Sequence, residues 1–290
     1  MSNRTVIVTG ANSGLGRATA AAFAGAGAHV VLAVRNRGKG EAAAAAMHGR
    51  TEVRELDLAS LPSIHRFTEA WDGEIDILIN NAGIMIPPLT RTVDGFEVQF
   101  GTNHLGHFAL TNLLLKQITG RVVTVSSSMH KAGRIDFEDL NWERKTYRPN
   151  RAYGQSKLAN LLFTSELQRR LLAAGSKVIA TAAHPGYAAT ELQGKSANPL
   201  LNLIMAIGNR TIAQSDESGA LPTIYAAVAD IPGDSFAGPD GLMETRGQPK
   251  LVGRSSAAKD AAVAARLWEV SEELTGVRFP LSVRTAEATA

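Results

Sequence analysis

The sequence predicts an α/β protein built as one domain, a doubly wound parallel sheet covered by helices in three α-β-α layers. Three observations carry this. Short β-branched runs alternate with Ala- and Leu-rich helical stretches. The strands are mostly apolar throughout, as expected of a sheet buried on both faces. Six strand–helix units follow one another with short links in a chain of 290 residues, a length sufficient for one large core.

In order, strands are expected at residues 4–9, 29–34, 52–56, 75–79, 121–126 and 177–183. Helices are expected at 15–25, 39–48, 60–71, 94–118 and 151–174. The third helix carries its own start signal, Ser60 as N-cap with Pro62 in the first turn. After His184 the pattern loosens. Residues 185–214 are rich in Gly, Asn and small apolar side chains, and 216–229 reads as a helix. The run 235–246 contains Gly-Pro-Asp-Gly turn chemistry and a last short strand. Residues 257–274 form a final amphipathic helix within a C-terminal extension of about 255–290. No repeats are present, and the alanine tract at 42–46 reads as an exposed helix former.

Composition narrows the function. The chain has 44% hydrophobic and 20% charged residues with a net charge of +3, the profile of a globular protein. Thirty Lys and Arg against 27 Asp and Glu is too even for a nucleic-acid partner, although a local basic site for one phosphate is compatible with it. With no cysteine, disulfides, thiolate zinc sites and cysteine nucleophiles are excluded. Residues 1–4 are polar and strand one follows at once, leaving no room for a signal peptide. The longest apolar stretches, 158–164 and 200–207, fall far below the ~20 residues that cross a bilayer. The expectation is a soluble, cytoplasmic protein without membrane or metal.

Strand one runs into Thr9-Gly10-Ala11-Asn12-Ser13-Gly14-Leu15-Gly16 and then a helix. Gly10 allows a tight turn, Gly14 lets the backbone approach a pyrophosphate at the helix N-terminus, and Gly16 permits close helix–strand packing. Standing alone, three glycines read equally as a tight turn. Between the first strand and helix of a βαβ unit they read as a dinucleotide loop, with Asn12, Ser13 and Leu15 among its contacts.

The spacing G-x-x-x-G-x-G resembles the short-chain dehydrogenase/reductase family, whose fold is the doubly wound, Rossmann-type sheet. Members using NAD place an acidic residue at the end of strand two to bind the ribose diol. Here that position is Val34, followed by Arg35, whose guanidinium suits a 2′-phosphate. The resemblance therefore implies NADP in preference to NAD, the competing reading of Arg35 being an ordinary solvated residue. Asp57-Leu58 looks like the pair flanking the adenine ring. Asn80-Asn81-Ala82-Gly83 looks like the family's N-N-A-G motif, in which Asn81 ties strands together and Ala82 and Gly83 leave room for the cofactor. His184-Pro185-Gly186 resembles its P-G motif beside the nicotinamide, and Thr190 is then placed to contact the carboxamide or pyrophosphate.

Tyr153 and Lys157, at i and i+4, share one helix face. A free phenol, with a pKa of about 10, exchanges protons poorly at neutral pH. A neighbouring ammonium and an oxidised nicotinamide would lower that value, making a general acid/base beside a hydride carrier. Strand five ends in Val125-Ser126-Ser127-Ser128 at the sheet edge where ligands bind. Alignment with the family pattern makes Ser127 the substrate-orienting hydroxyl, with Ser126 and Ser128 as alternatives. The interval from Ser127 to Tyr153 is about twice that of many members, an insertion shared with members resembling retinol dehydrogenases. In the family an asparagine at Asn103 interrupts its helix and holds a water relaying protons to the lysine. His104 and His107, at i and i+3, suggest a metal only weakly, with no carboxylate cluster beside them.

Six motifs in order, including N-H-L-G-H-F, Y-G-Q-S-K-L-A-N and H-P-G, most resemble the retinol-dehydrogenase and WW-domain-oxidoreductase-like branch. No N-terminal anchor like that of many animal retinol dehydrogenases is evident, so a retinoid is not implied. Light-dependent protochlorophyllide reductases are similar here, but they need cysteines this chain lacks. The resemblance implies an alcohol–carbonyl oxidoreductase acting on a small molecule, with pro-S hydride transfer. Residues 190–213 are expected as a substrate lid whose leucines, isoleucines and Met205 suit an apolar ligand or equally a packed helix. The rival function is a non-catalytic NADP-binding redox sensor, which would not need to keep Asn103, Ser127, Tyr153 and Lys157. The long helices either pair across a homo-oligomer interface or pack within one subunit.

Overall fold

The computed structural model describes residues 1–186 and 215–282. The expected contact Thr190, the lid at 190–213 and the last residues of the C-terminal extension lie outside them. Eight strands form one sheet in the order β3-β2-β1-β4-β5-β6-β7-β8. They are β1 Thr5–Thr9, β2 His29–Val34, β3 Arg50–Glu55, β4 Ile75–Asn80, β5 Ile118–Val125, β6 Ile179–Ala183, β7 Phe236–Pro239 and β8 Pro249–Leu251. Every pairing is parallel except β7 with β8, so the sheet ends in one antiparallel edge hairpin that the parallel pattern did not include. The chain winds outward from β1 to β3 and returns at β4 on the other side of β1. The loops after β1 and β4 therefore diverge and open a crevice at the carboxyl ends of these strands.

Successive residues of β1 serve opposite cores. Ile7 packs with Val31, Leu78, Phe108 and Trp268, while Val6 and Val8 pack with Val30, Leu32 and Ile79 on the other face. The central strands β1, β2 and β4 are buried on both faces, which is why they show little polar alternation, whereas the edge strand β3 is polar and partly exposed.

The helices are α1 Gly14–Gly25, α2 Arg37–Ala45, α3 Leu61–Glu69, α4 Val98–Phe100, α5 Gly106–Leu114, α6 Pro149–Ala173, α7 Asp216–Val228 and α8 Ala261–Thr275. Ser60 caps α3 as expected, accepting from the Ser63 N–H. The single helix expected at 94–118 is corrected at both ends and in the middle. It starts only at Val98, because the Glu97 carboxylate accepts the N–H groups of Gln99 and Phe100. A five-residue π-helical turn, Gly101–Leu105, then separates α4 from α5. At the far end Ile118 belongs to β5, paired with Ile75 across an irregular register. The mixed stretch Lys116-Gln117-Ile118-Thr119 has no helical or strand period of its own, and pairing decides it.

The apolar faces of α5 and α6 are covered by α8 of the same chain. The Trp268 ring stacks on Phe163 at 5.7 Å and meets Phe108 edge-on at 4.9 Å, with the Arg170 guanidinium 4.7 Å from its centroid. His104 donates to Ser271 Oγ in the same interface, at 2.9 Å. These contacts pack α8 against α5 and α6 within the subunit. Among the described residues no helix is long and apolar enough to cross a membrane.

Candidate active site

The glycine loop lies at the crevice. Gly10 and Gly14 adopt φ of +68° and +53°, conformations that cost glycine little. A Cβ on Gly16 would stand 2.5 Å from both Asn81 Nδ2 and the Gly10 carbonyl, so the helix can approach the strand only without one. Ser13 occupies the N-cap of α1 but makes no capping hydrogen bond, and the first turn holds no acidic residue. This helix end is left for an outside anion, which suits a dinucleotide pyrophosphate.

Thr9 joins the loops on either side of the crevice. Its Oγ1 accepts from the backbone N–H groups of Asn81 and Ala82, both at 2.9 Å, and its carbonyl accepts from Asn81 Nδ2 at 2.8 Å. His107 Nδ1 lies 3.0 Å from the Asn103 carbonyl and so carries the ring proton, leaving Nε2 to accept from the Thr9 hydroxyl at 2.9 Å. Burial pushes the His107 pKa down to about 4 and that of His104 to about 3, so both rings are neutral. The two histidines are spent on packing contacts between elements.

Asn103 sits in the π-helical turn with its amide engaged at both ends. Oδ1 accepts from the Ile84 N–H at 2.8 Å, and Nδ2 donates to the Ile84 carbonyl and to Ser156 Oγ, each at 3.0 Å. Ser156 lies one turn beyond Tyr153 and donates to the Tyr153 carbonyl at 2.8 Å. Asn103 therefore clasps the loop after β4 to α6. Gly83 lies between them, where an added Cβ would be 3.2 Å from Asn103 Oδ1 and 3.5 Å from Lys157 Nζ.

The three serines after β5 separate by partner. Ser126 is buried and donates to the Lys157 carbonyl at 2.7 Å. Ser128 is exposed and begins a 3₁₀ turn, Ser128–Ala132. Ser127 caps that turn, its hydroxyl accepting from the Met129 N–H at 3.2 Å, and the same hydroxyl acts on the Tyr153 phenol. Burial pushes the Tyr153 pKa up to about 12, and the Ser127 hydrogen bond acts in the opposite direction. The lysine faces the Tyr153 ring, Nζ 5.7 Å from its centroid, and donates to the Val125 carbonyl at 3.1 Å. Burial lowers the Lys157 pKa to about 8. Among the described residues, Val125 is the one acceptor for its three protons. A buried ammonium with spare donors suits the hydroxyls of a nicotinamide ribose.

Other expected contacts surround this centre. Val34 is buried at the end of β2, and Arg35 next to it is exposed. Asp57 Oδ1 accepts from the Ala59 N–H at 2.9 Å, so this carboxylate shapes its own turn. Leu58 is buried, with its carbonyl 2.4 Å from where a Cβ on Gly106 would stand. Pro185 and Gly186 follow β6, Gly186 at φ +72°.

Sequence reasoning missed a second network. Glu97 is wholly buried; its Oε1 accepts from the Gln99 N–H at 3.0 Å and the Tyr147 hydroxyl at 2.9 Å, and its Oε2 from the Phe100 N–H at 2.7 Å. Gln99 Nε2 donates to Tyr147 and to the Pro149 carbonyl at the start of α6, while Oε1 holds the Ile86 N–H. Ile86 has φ +57°, rare for a β-branched residue. No local spacing announces these partners, since Tyr147 comes from the insertion.

A glycine loop at the switch point of a doubly wound sheet, beside a Ser–Tyr–Lys group, defines a nucleotide-binding oxidoreductase. Residues 4–200 match the family model described as short chain dehydrogenase, and the chain belongs to that family. Human retinol dehydrogenase 13 is 45% identical over 300 residues, covering 97% of this chain and 87% of that protein. Mouse retinol dehydrogenase 14 is 42% identical over 306 residues, covering 96% and 87%. A crystal structure of an uncharacterised protein from Mycobacterium paratuberculosis superposes with a TM-score of 0.85 at 56% identity, covering 97% of this chain and 96% of that one. A structure described as a "putative NAD(P) dependent gluconate 5-dehydrogenase" from Beutenbergia cavernae, with NADP bound at low occupancy, gives a TM-score of 0.60 at 26% identity over 81% and 91% of the two chains.

Proposed function

We propose that this protein is an NADP(H)-dependent oxidoreductase interconverting an alcohol and an aldehyde or ketone on an apolar small molecule. One observation carries the reading: the buried Tyr153 phenol lies one helical turn from the buried Lys157 ammonium, Nζ 5.7 Å from its ring, with the Ser127 hydroxyl opposing the effect of that burial. The names of the retinol dehydrogenase relatives support an apolar alcohol as substrate.

NADP(H), when bound, supplies the hydride and a pyridinium charge. Gly10, Asn12, Ser13, Gly14, Leu15 and Gly16 would receive its pyrophosphate, Arg35 its 2′-phosphate, and Asp57 and Leu58 would flank the adenine. Ala82 and Gly83 leave room for it, and Asn81 braces that loop. Pro185 and Gly186 would border the nicotinamide, and Thr190 would contact its carboxamide or the pyrophosphate.

Ser127 orients the substrate oxygen. In reduction Tyr153 gives that oxygen its proton, and in oxidation it takes the proton back. Lys157 holds the ribose and stabilises the phenolate against a burial that alone favours the neutral phenol. Asn103 holds the Ile84 loop and α6 in register and completes the path by which Lys157 is reprotonated. The protein works in the cytoplasm without a membrane or nucleic-acid partner.

The test is oxidation of NADPH and NADH against aldehydes, ketones and quinones, with Tyr153→Phe as control. Turnover that depends on Tyr153 is expected. Turnover unchanged in Tyr153→Phe sinks the mechanism, and cofactor binding without turnover on any carbonyl favours the sensor.

A further inference from the structure

The hairpin joining β7 to β8 carries an oddity. Met243 and Glu244, neither of them glycine, adopt φ of +53° and +58° in succession. Leu242 and Met243 are left 86% and 82% exposed at its tip. Backbone held in a rarely populated region points to a constraint elsewhere, and the Glu244 side chain shows what that is. It turns inward, and Oε2 lies 3.1 Å from Nε2 of the fully buried His184, close but without the alignment of a linear hydrogen bond.

His184 immediately precedes Pro185 and Gly186. Its Nδ1 accepts from the Gly186 N–H at 3.2 Å, so the ring proton resides on Nε2 and faces the carboxylate. The ring has little freedom: Phe236 lies 5.1 Å away, and a Cβ on Gly238 would fall 2.2 Å from Nε2. Burial holds the imidazole neutral, its pKa down to about 4, with Glu244 opposing that shift. The hairpin also abuts the turn directly, since a Cβ on Gly186 would stand 2.4 Å from the Thr245 carbonyl. The same Glu244 oxygen reaches Lys131 Nζ at 3.5 Å. Lys131 lies in the 3₁₀ turn capped by Ser127, whose carbonyl accepts from His130 Nδ1 at 2.7 Å. One carboxylate thus spans from the Gly186 turn to the segment that carries Ser127.

We propose that Glu244 is a positioning residue that sets the Pro185–Gly186 turn, through His184, for the nicotinamide end of the bound dinucleotide. This rests on the cofactor reading above. Glu244 touches neither adenine nor 2′-phosphate in that reading, so its loss weakens NADPH and NADH alike.

Calorimetric titration of wild type, Glu244→Ala and Glu244→Gln with NADPH, NADH and adenosine 2′,5′-bisphosphate tests it. Glu244→Ala removes the carboxylate that faces the buried His184 Nε2, and both dinucleotides are expected to bind about tenfold more weakly. The bisphosphate, which has no nicotinamide, keeps wild-type affinity, and Glu244→Gln, which retains an acceptor for Nε2, restores most of the loss. Unchanged dinucleotide affinity in Glu244→Ala, or equal weakening of all three ligands, overturns the proposal. A wild-type protein that binds neither dinucleotide overturns the cofactor reading and this inference together, whereas a selective loss for NADPH in Glu244→Ala overturns the inference alone.

Discussion

Lys157 Nζ stands 5.7 Å from the centroid of the Tyr153 ring and gives one proton to the Val125 carbonyl at 3.1 Å, deep at the sheet edge. Burial lowers its pKa from 10.5 to about 8, so the folded protein binds fewer protons than the unfolded chain between those values. Stability contributed by this group therefore rises with pH through that window and is least below it. Lys157→Met is expected to raise Tm at pH 7 while lowering turnover by about 10²-fold or more. The gain in Tm should shrink as pH rises from about 8 towards 10.5. A drop in Tm at pH 7 would contradict the assignment of Lys157 as a strained, functional ammonium.

Arg35 is the test of cofactor choice. Removing a charge-assisted contact to a phosphate costs about 1.5–3 kcal/mol, so Arg35→Ala should raise KM for NADPH by roughly tenfold or more. KM for NADH should stay within twofold. Equal effects on both cofactors would refute the preference.

Gly16 has no room for a methyl group, with Asn81 Nδ2 and the Gly10 carbonyl each 2.5 Å from its Cβ position. Backbone must shift in Gly16→Ala, at a cost of about 1–3 kcal/mol. The loop shifts with it, so NADPH affinity should fall alongside urea stability. Full retention of both would show that the loop is looser than its geometry implies.

Tyr147→Phe removes one of the donors to the buried Glu97 carboxylate and an acceptor for Gln99. A stability loss of about 1–3 kcal/mol in urea denaturation is expected. Because Gln99 also holds Ile86 and the start of α6, KM for the carbonyl substrate should rise while cofactor affinity is retained.

Trp268 joins α8 to α5 and α6. Trp268→Ala should cost about 3–5 kcal/mol, read from the urea midpoint. Glu138→Ala, at an exposed ion pair with Arg266, should change little by comparison.

Much of the fold and site was legible because it is local. A strand is announced by β-branched residues, and the glycine loop by positions where no side chain fits. Tyr153 and Lys157 share a face because four residues make about one helical turn. Ser127 was separable from its neighbours only once β5 and α6 were packed, since Ser126 and Ser128 have the same chemistry and different partners. The interruption at Asn103, which the resemblance implied, takes the form of a π-helical turn that no local pattern shows, where Asn103 clasps Ile84 in another strand's loop.

By itself, then, the sequence determined the alternation of strands and helices, the glycine loop between β1 and α1, and the Tyr–Lys pair with a hydroxyl nearby. Those follow from backbone periods and from single-residue sterics. Tertiary structure decided what depends on distant contacts. It turned His107 into a bridge between Thr9 and Asn103 and buried Glu97 beneath Tyr147. It also covered α5 and α6 with α8, and it carried Glu244 to His184. Such partners are far apart in sequence, and desolvation selects them only after the chain has closed around them.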